Sequence, residues 1–267
     1  MAVITISRGT FSGGKMLAEC LSQTLGYRCI DRDVIVARAA EHGVSELRLR
    51  EALDTPPSHF LATANHRKYI YLALIQAALA EEVRTGRAVY QGLAGHLLLQ
   101  GGIAVLRLRI IAPLEFRIQM ARDRLSLGRG EAIAHIEKVD KERQRWTRYL
   151  YGVDWEDPSL YDLIINLEYL SIQQACRLVA GMVSEAGLEF SAEHQERMED
   201  FVLGSRVRAA LASSPFTSHL EVEVEARHGS VCIKGSLYEQ AEAVRGVALA
   251  VPGVTGLAIE EPAATTA

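Results

Sequence analysis

The chain has 267 residues, of which 49% are hydrophobic and 23% charged, with a net charge of -4. This is the profile of a globular protein with one large domain or two of ordinary size. So mild a charge excludes whole-molecule attraction to nucleic acid. The four cysteines, Cys20, Cys29, Cys176 and Cys232, are far apart and form no C-x-x-C pair. They suit reduced thiols in a cytosol, not a disulfide framework or a zinc site. The eight histidines include no H-E-x-x-H, so each is expected at the surface or as a cap, and no metal site is expected from them.

Met1 leads directly into the apolar run 2–6, and no leader peptide is expected. Val3 to Ser7 reads as a strand, Gly14 to Leu25 as a helix that stops at Gly26, and Tyr27 to Ile30 as a second short strand. Helical patterns follow at 32–42 and 45–53. The two prolines of "DTPPSHF" break the chain, and a long helix is expected over 60–85. Its apolar stretch, Tyr69 to Ala80, is too short for a membrane span, which takes roughly 20 residues.

Further strands are expected at 88–92, 104–112 and 162–167, and helices at 114–125, 130–149 and 171–186. Alternating β and α elements argue for a parallel sheet covered on both faces. The pattern changes after Gly187. The polar, acidic stretch 188–200 reads as a junction. Beyond it come a helix (196–213), an alternating strand "HLEVEVEAR", a turn at His228-Gly229, the strand "SVCIKGS", a helix (239–250) and a last strand in "GVTGLAIEE". The division predicted from the sequence is a first domain over 1–187 and a small α+β domain over 196–261.

Between the first strand and first helix lies "RGTFSGGKML". Gly9, Gly14 and Lys15 fit G-x-x-x-x-G-K in the setting that pattern requires. Glycines let backbone N–H groups approach phosphate oxygens, and the helix N-terminus adds partial positive charge. Lys15 is the candidate for bridging terminal phosphates, with Ser12 and Gly13 completing the loop. Met16 stands where the pattern offers magnesium a hydroxyl, and a thioether is a soft ligand unsuited to a hard cation. Magnesium can still be held by substrate phosphates, water and one carboxylate. From Arg117 to Arg148 there are nine Lys or Arg side chains against five acidic ones. Such cations suit a transition state that spreads charge over phosphoryl oxygens. Asp31 and Asp33 flank Arg32 and could orient it, or cap and favour the start of a helix. Asp157 reads as a turn residue before Pro158.

Several stretches together resemble the cytidylate kinase-like family of P-loop nucleoside monophosphate kinases. They are "ITISRGTFSGGK" (4–15), "GYRCIDRDVI" (26–35), "RLRIIAPLEFRIQ" (107–119), "KVDKERQRWTRYLYGVDWEDPSLYDLIIN" (138–166) and "LSIQQACRLV" (170–179). The resemblance implies a P-loop NTPase fold, a three-layer α/β parallel sheet with a helical lid. It implies transfer of the γ-phosphoryl group of ATP, with Mg2+, to CMP, dCMP or a similar nucleoside monophosphate. It assigns Gly9, Ser12, Gly13, Gly14, Lys15 and Met16 to the donor loop, Lys141, Arg143 and Arg148 to the basic lid, and Asp31, Arg32 and Asp33 to the acceptor side. One departure is Leu93 in "YQGLAGHLL", where an arginine is expected. Arg87, Arg107 or Arg109 could substitute for it. Met16 and Leu93 also keep open the reading of a regulatory nucleotide-binding protein with weak or no turnover.

Residues 196–261 resemble a BON-type domain through "VLGSRVRAALAS", "LEVEVEARHGSVCIKGSL" and "AEAVRGVALAVPGVTGLAIEE". That resemblance implies a contact with a protein partner or a phospholipid surface. Acidic side chains outnumber basic ones there, which favours a protein contact or ligand sensing over attraction to anionic lipid.

Overall fold

The computed structural model describes residues 3–41, 44–47, 49, 62–92, 94–100, 103–185 and 191–260, the side chains of 62–68 and 238 excepted. Most of the helix expected at 45–53, the break at 54–60 and Leu93 lie outside the described residues. Two compact units are present. The first holds residues 1–32, 85–100 and 104–190, and the second holds 33–84, 101–103 and 191–267. This division by contacts differs from the sequence division chiefly in one segment, 33–84, which groups with the C-terminal residues.

The first unit is built on a five-stranded sheet, β1 (Val3–Arg8), β2 (Arg28–Asp31), β3 (Ala88–Gln91), β4 (Val105–Ile111) and β5 (Leu163–Asn166). The strand order is β2-β3-β1-β4-β5, and every pairing is parallel. Central β1 is buried along almost its whole length, as a parallel strand covered on both faces must be. Ile4 and Ile6 meet Leu108, Ile110, Leu17 and Leu21 in the main core. Leu17 and Leu21 lie four apart on α1 (Gly14–Leu25), so one stripe of that helix faces the sheet. α1 ends at Gly26, whose φ of 65° is the left-handed cap that glycine allows. α7 (Ile172–Glu185) completes this layer through Ala175, Cys176 and Val179.

Two helices form a hairpin between β4 and β5, α5 (Leu114–Leu125) and α6 (Arg129–Tyr151). Ile118 and Ala121 pack on Ala132 and Ile136 in a separate small core. The Gly128 N–H donates to the Glu131 carboxylate at 2.8 Å, which fixes the start of α6. A one-turn helix, α4 (Gly95–Leu98), follows β3 and went unanticipated. Four residues are too few to show a helical period.

The second unit contains α2 from Asp33 onward (Arg32–Ala40), α3 (Ala62–Val83), α8 (Ala192–Ser213), α9 (Ala241–Leu249) and a three-stranded sheet. In it β6 (Glu223–Arg227) pairs antiparallel with β7 (Ser230–Lys234), and β7 pairs parallel with β8 (Gly256–Glu260). Two expectations are corrected here. The supposed junction residues 192–200 are the first turns of α8, capped by the Ser191 hydroxyl on the His194 N–H. The strand expected from His219 begins only at Glu223. The Tyr69 hydroxyl donates to the Val222 carbonyl at 2.8 Å and accepts from the Val222 N–H at 3.2 Å, so a side chain takes both backbone groups that a neighbouring strand would use.

Tyr69 is buried, and the guanidinium of Arg208 lies 5.0 Å from its ring centroid. Tyr69→Phe keeps the ring and leaves two buried backbone groups unpaired. It is expected to lower stability by about 1–3 kcal/mol, read as a shift in the urea midpoint of the full chain.

Candidate functional site

The turn from β1 into α1 is made by two residues with left-handed backbone, Phe11 (φ 60°) and Gly13 (φ 88°). Gly13 has no alternative. A Cβ there would be strained by its φ and would come within 2.9 Å of Leu167 Cδ1 and 3.1 Å of Ile172 Cδ1. The Ser12 hydroxyl is buried and donates within the loop to the Gly9 carbonyl (2.9 Å), with the β4 Ile110 carbonyl also in reach (3.1 Å). The first α1 bond runs from the Leu17 N–H to the Gly13 carbonyl. The amides of Gly14, Lys15 and Met16 therefore have no intrahelical acceptor and sit at the positive end of the helix.

The loop glycine that turns the chain into the helix is thus Gly13, and the residue immediately after it is Gly14. In the G-x-x-x-x-G-K pattern, then, Gly14 is the first helical residue and Lys15 the second. Lys15 leaves α1 on another side. Its side chain is half exposed and approaches Glu19 at 3.9 Å. Met16 is exposed, one position further along the helix.

Helix α6 closes on the loop. The Thr10 N–H donates to Asp140 at 2.8 Å, and Arg117 Nε donates to the Thr10 carbonyl at 2.7 Å. Arg117 is also ion-paired with Asp140. Arg143 Nη1 donates to the Arg8 carbonyl at 3.2 Å and lies 4.0 Å from Asp140. Phe11 packs on the α5–α6 core and stacks obliquely on His135, with centroids 5.9 Å apart. Burial, then the neighbouring Arg8, pushes the Arg143 pKa down to about 10, partly offset by Asp140. Burial also lowers the pKa of Arg8. Arg143 remains a cation at neutral pH.

Of the three lid residues expected to converge, only Arg143 faces the loop. Lys141 is exposed, and Arg148 is exposed and pairs with Asp154 at 3.5 Å. At roughly 100° per residue Lys141 and Arg148 share one face of the helix and Arg143 lies on the opposite one, so the three cannot converge on the loop. Asp31 ends β2 opposite Gln91, and Arg32 opens α2 close enough to Arg143 to help depress its pKa. Asp33 belongs to the second unit, exposed in the first turn of α2.

Two of the proposed substitutes for the missing arginine, Arg107 and Arg109, are held by other partners. Arg107 pairs with Asp162 at 2.6 Å. Arg109 is buried, bonded to the Trp155 carbonyl and to Glu156, with Trp155 4.9 Å from its guanidinium. Arg87 (φ 50°) gives its carbonyl to the Arg28 N–H. Asp157 accepts from the Ser159 N–H, the turn role expected of it. His96 corrects the expectation of surface histidines: it is 4% exposed, its ring 4.8 Å from that of Tyr161.

In the second unit a cleft of about 330 Å³ is lined in part by Arg84, Glu199, Asp200, Arg206 and His228. Its arginines are already paired, Arg84 with Glu199 and Arg206 with Glu81. Among the described residues no three His, Cys, Asp or Glu side chains gather as a metal set, and no helix is long and apolar enough to cross a membrane.

A parallel sheet with a glycine loop between β1 and α1, closed by an arginine-bearing helical hairpin, is the architecture of a kinase-like α/β fold. A family model described as "Cytidylate kinase-like family" matches residues 3–169, and the chain belongs to that family. A cytidylate kinase of Ignicoccus hospitalis is 26% identical over 186 residues, covering 68% of this chain and 99% of that protein. A cytidylate kinase of Sulfolobus acidocaldarius is 33% identical over 90 residues, covering 33% of this chain; the match spans about half (49%) of that relative's length. Among solved structures, an uncharacterized protein from Eubacterium ventriosum shares the fold with a TM-score of 0.55 at 13% identity, covering 69% of this chain and 99% of that one.

Proposed function

We propose that the chain transfers the γ-phosphoryl group of ATP to a pyrimidine nucleoside monophosphate, CMP or dCMP. The observation that carries this reading is the closure of α6 on the loop. Arg143 reaches the loop backbone and lies within the electrostatic reach of Arg8, Arg117 and Arg32, with Asp140 opposing them. So much positive charge beside free helix-terminal amides favours a polyphosphate. Gly13 and Gly14 fit the group: both are buried, and neither puts a side chain beside the amides that would face the phosphates.

The amides of Gly14, Lys15 and Met16 would hold the donor phosphates. Arg143 would follow the charge that builds on the transferring group, and α6 with Phe11 would keep water out. Lys15, Lys141 and Arg148 are exposed and could contribute only by swinging inward. Asp31 at the end of β2, Arg32 at the start of α2 and Asp33 after it are the residues that the family resemblance assigns to the acceptor. Mg2+ would be carried on the nucleotide's own oxygens and water, where it neutralises developing charge. We take the C-terminal residues 196–261 as a BON-like contact module for a protein partner or lipid surface; the helices with a three-stranded sheet support this.

The test is a coupled assay of ADP release with ATP, Mg2+ and each of CMP, dCMP, UMP and AMP. Turnover is expected to be highest with CMP or dCMP. Tight ATP binding with no acceptor consumed in any of the four would replace this reading with that of a regulatory nucleotide-binding protein.

A further inference from the structure

The position directly after the turning glycine is Gly14, which has no side chain to offer a phosphate. The space such a side chain would enter is filled. A Cβ on Gly14 would lie 2.3 Å from Arg8 Cδ, 3.0 Å from its Cβ and 3.1 Å from its Cγ. The Arg8 stem therefore runs along the path that a side chain from position 14 would take. Gly14 is helical, so it needs no left-handed freedom; its lack of a Cβ serves to admit Arg8.

We propose that Arg8, at the end of β1, is the phosphate-binding cation of this loop, in place of the lysine the motif puts there. Three observations support it. The Arg8 backbone is fixed, its carbonyl accepting from Arg143 and its strand pairing with β4 at Ile110. Among the described residues its guanidinium has no carboxylate partner, while Arg117 and Arg143 share Asp140. Lys15, the cation the motif names, is instead half exposed beside Glu19. A planar guanidinium can also bridge two phosphoryl oxygens, which an ammonium cannot do with the same geometry. The ligand class is a nucleoside triphosphate or diphosphate, so the inference rests on the phosphotransferase reading given above.

The experiment is calorimetric titration of the full chain with ATP and Mg2+, and separately with CMP, for wild type, Arg8→Met, Arg8→Lys and Lys15→Met. Arg8→Met is expected to weaken ATP by about 30-fold or more, with CMP affinity within about threefold of wild type. Arg8→Lys is expected to recover part of the loss, which a purely structural role would not do. The loss in Lys15→Met is expected to be several-fold smaller than in Arg8→Met. Equal losses of ATP and CMP in Arg8→Met, or a greater ATP loss in Lys15→Met than in Arg8→Met, would overturn the role of Arg8 and leave the phosphotransferase reading standing. Failure of wild type to bind ATP overturns both.

Discussion

Arg143→Met is expected to lower kcat/KM for phosphoryl transfer by about 10²–10³-fold, with most of the loss in kcat. The direction follows from where the charge sits. Arg143 is partly buried, crowded by Arg8 and Arg117, and served by one shared carboxylate 4.0 Å away. Desolvation is the larger cause of its lowered pKa, and a cation so placed interacts with an incoming anion more strongly than one in water. The gain is greatest where negative charge is most concentrated, on the group in flight. Because the pKa falls only to about 10, Arg143 keeps its charge through pH 8, and a rate loss in the variant should be flat across pH 6–8. Arg143→Lys keeps the charge and loses the fork, so an intermediate rate is expected. A kcat/KM for Arg143→Met within about threefold of wild type would remove α6 from the chemistry.

Much of this arrangement was legible in the residues. Alternating elements and β-branched runs located the five parallel strands, most clearly the central β1, because a strand buried on both faces has little choice of residue type. The loop was found from its glycines and its place after β1. Its register was not legible. "SGGK" contains two adjacent glycines, and either could be the one that turns the chain; only the φ of 88° at Gly13 decides. In the fold Lys15 is half exposed beside Glu19, and the stem of Arg8 packs against Gly14. Arg107 and Arg109 were likewise inseparable, sharing one strand face. In the fold, one pairs at the surface with Asp162 and the other is sealed beneath Trp155, and these partners lie about fifty residues away in the chain. The late start of β6 had no local signal either, since its cause is a hydroxyl on α3.

Acid should destabilise the first unit through His96, and His96→Leu should remove that part of the response. The ring is 4% exposed, and among the described residues neither nitrogen has a hydrogen-bond partner. Burial first, then the charges of Arg107 and Arg109, push its pKa down to about 4 from 6.5. Below pH 6.5 the unfolded chain takes up a proton that the folded chain refuses, so stability is complete above that value and falls as the pH drops toward 4. A separation of this size amounts to roughly 3 kcal/mol across the whole window, and about 2 kcal/mol by pH 5. Burial works to raise the Asp162 pKa, but the hydrogen bonds and charge of Arg107 together hold it low, so such carboxylates add their own loss only below the ordinary carboxylate range. The difference between wild type and His96→Leu between pH 7.5 and 5 isolates the imidazole, because the carboxylates are common to both. Leucine is close to histidine in volume and leaves no unpaired nitrogen beside Tyr161. Urea midpoints that change in parallel for the two proteins over that range would show that His96 accepts its proton in the folded state, and that the pocket behind Tyr161 is open to water.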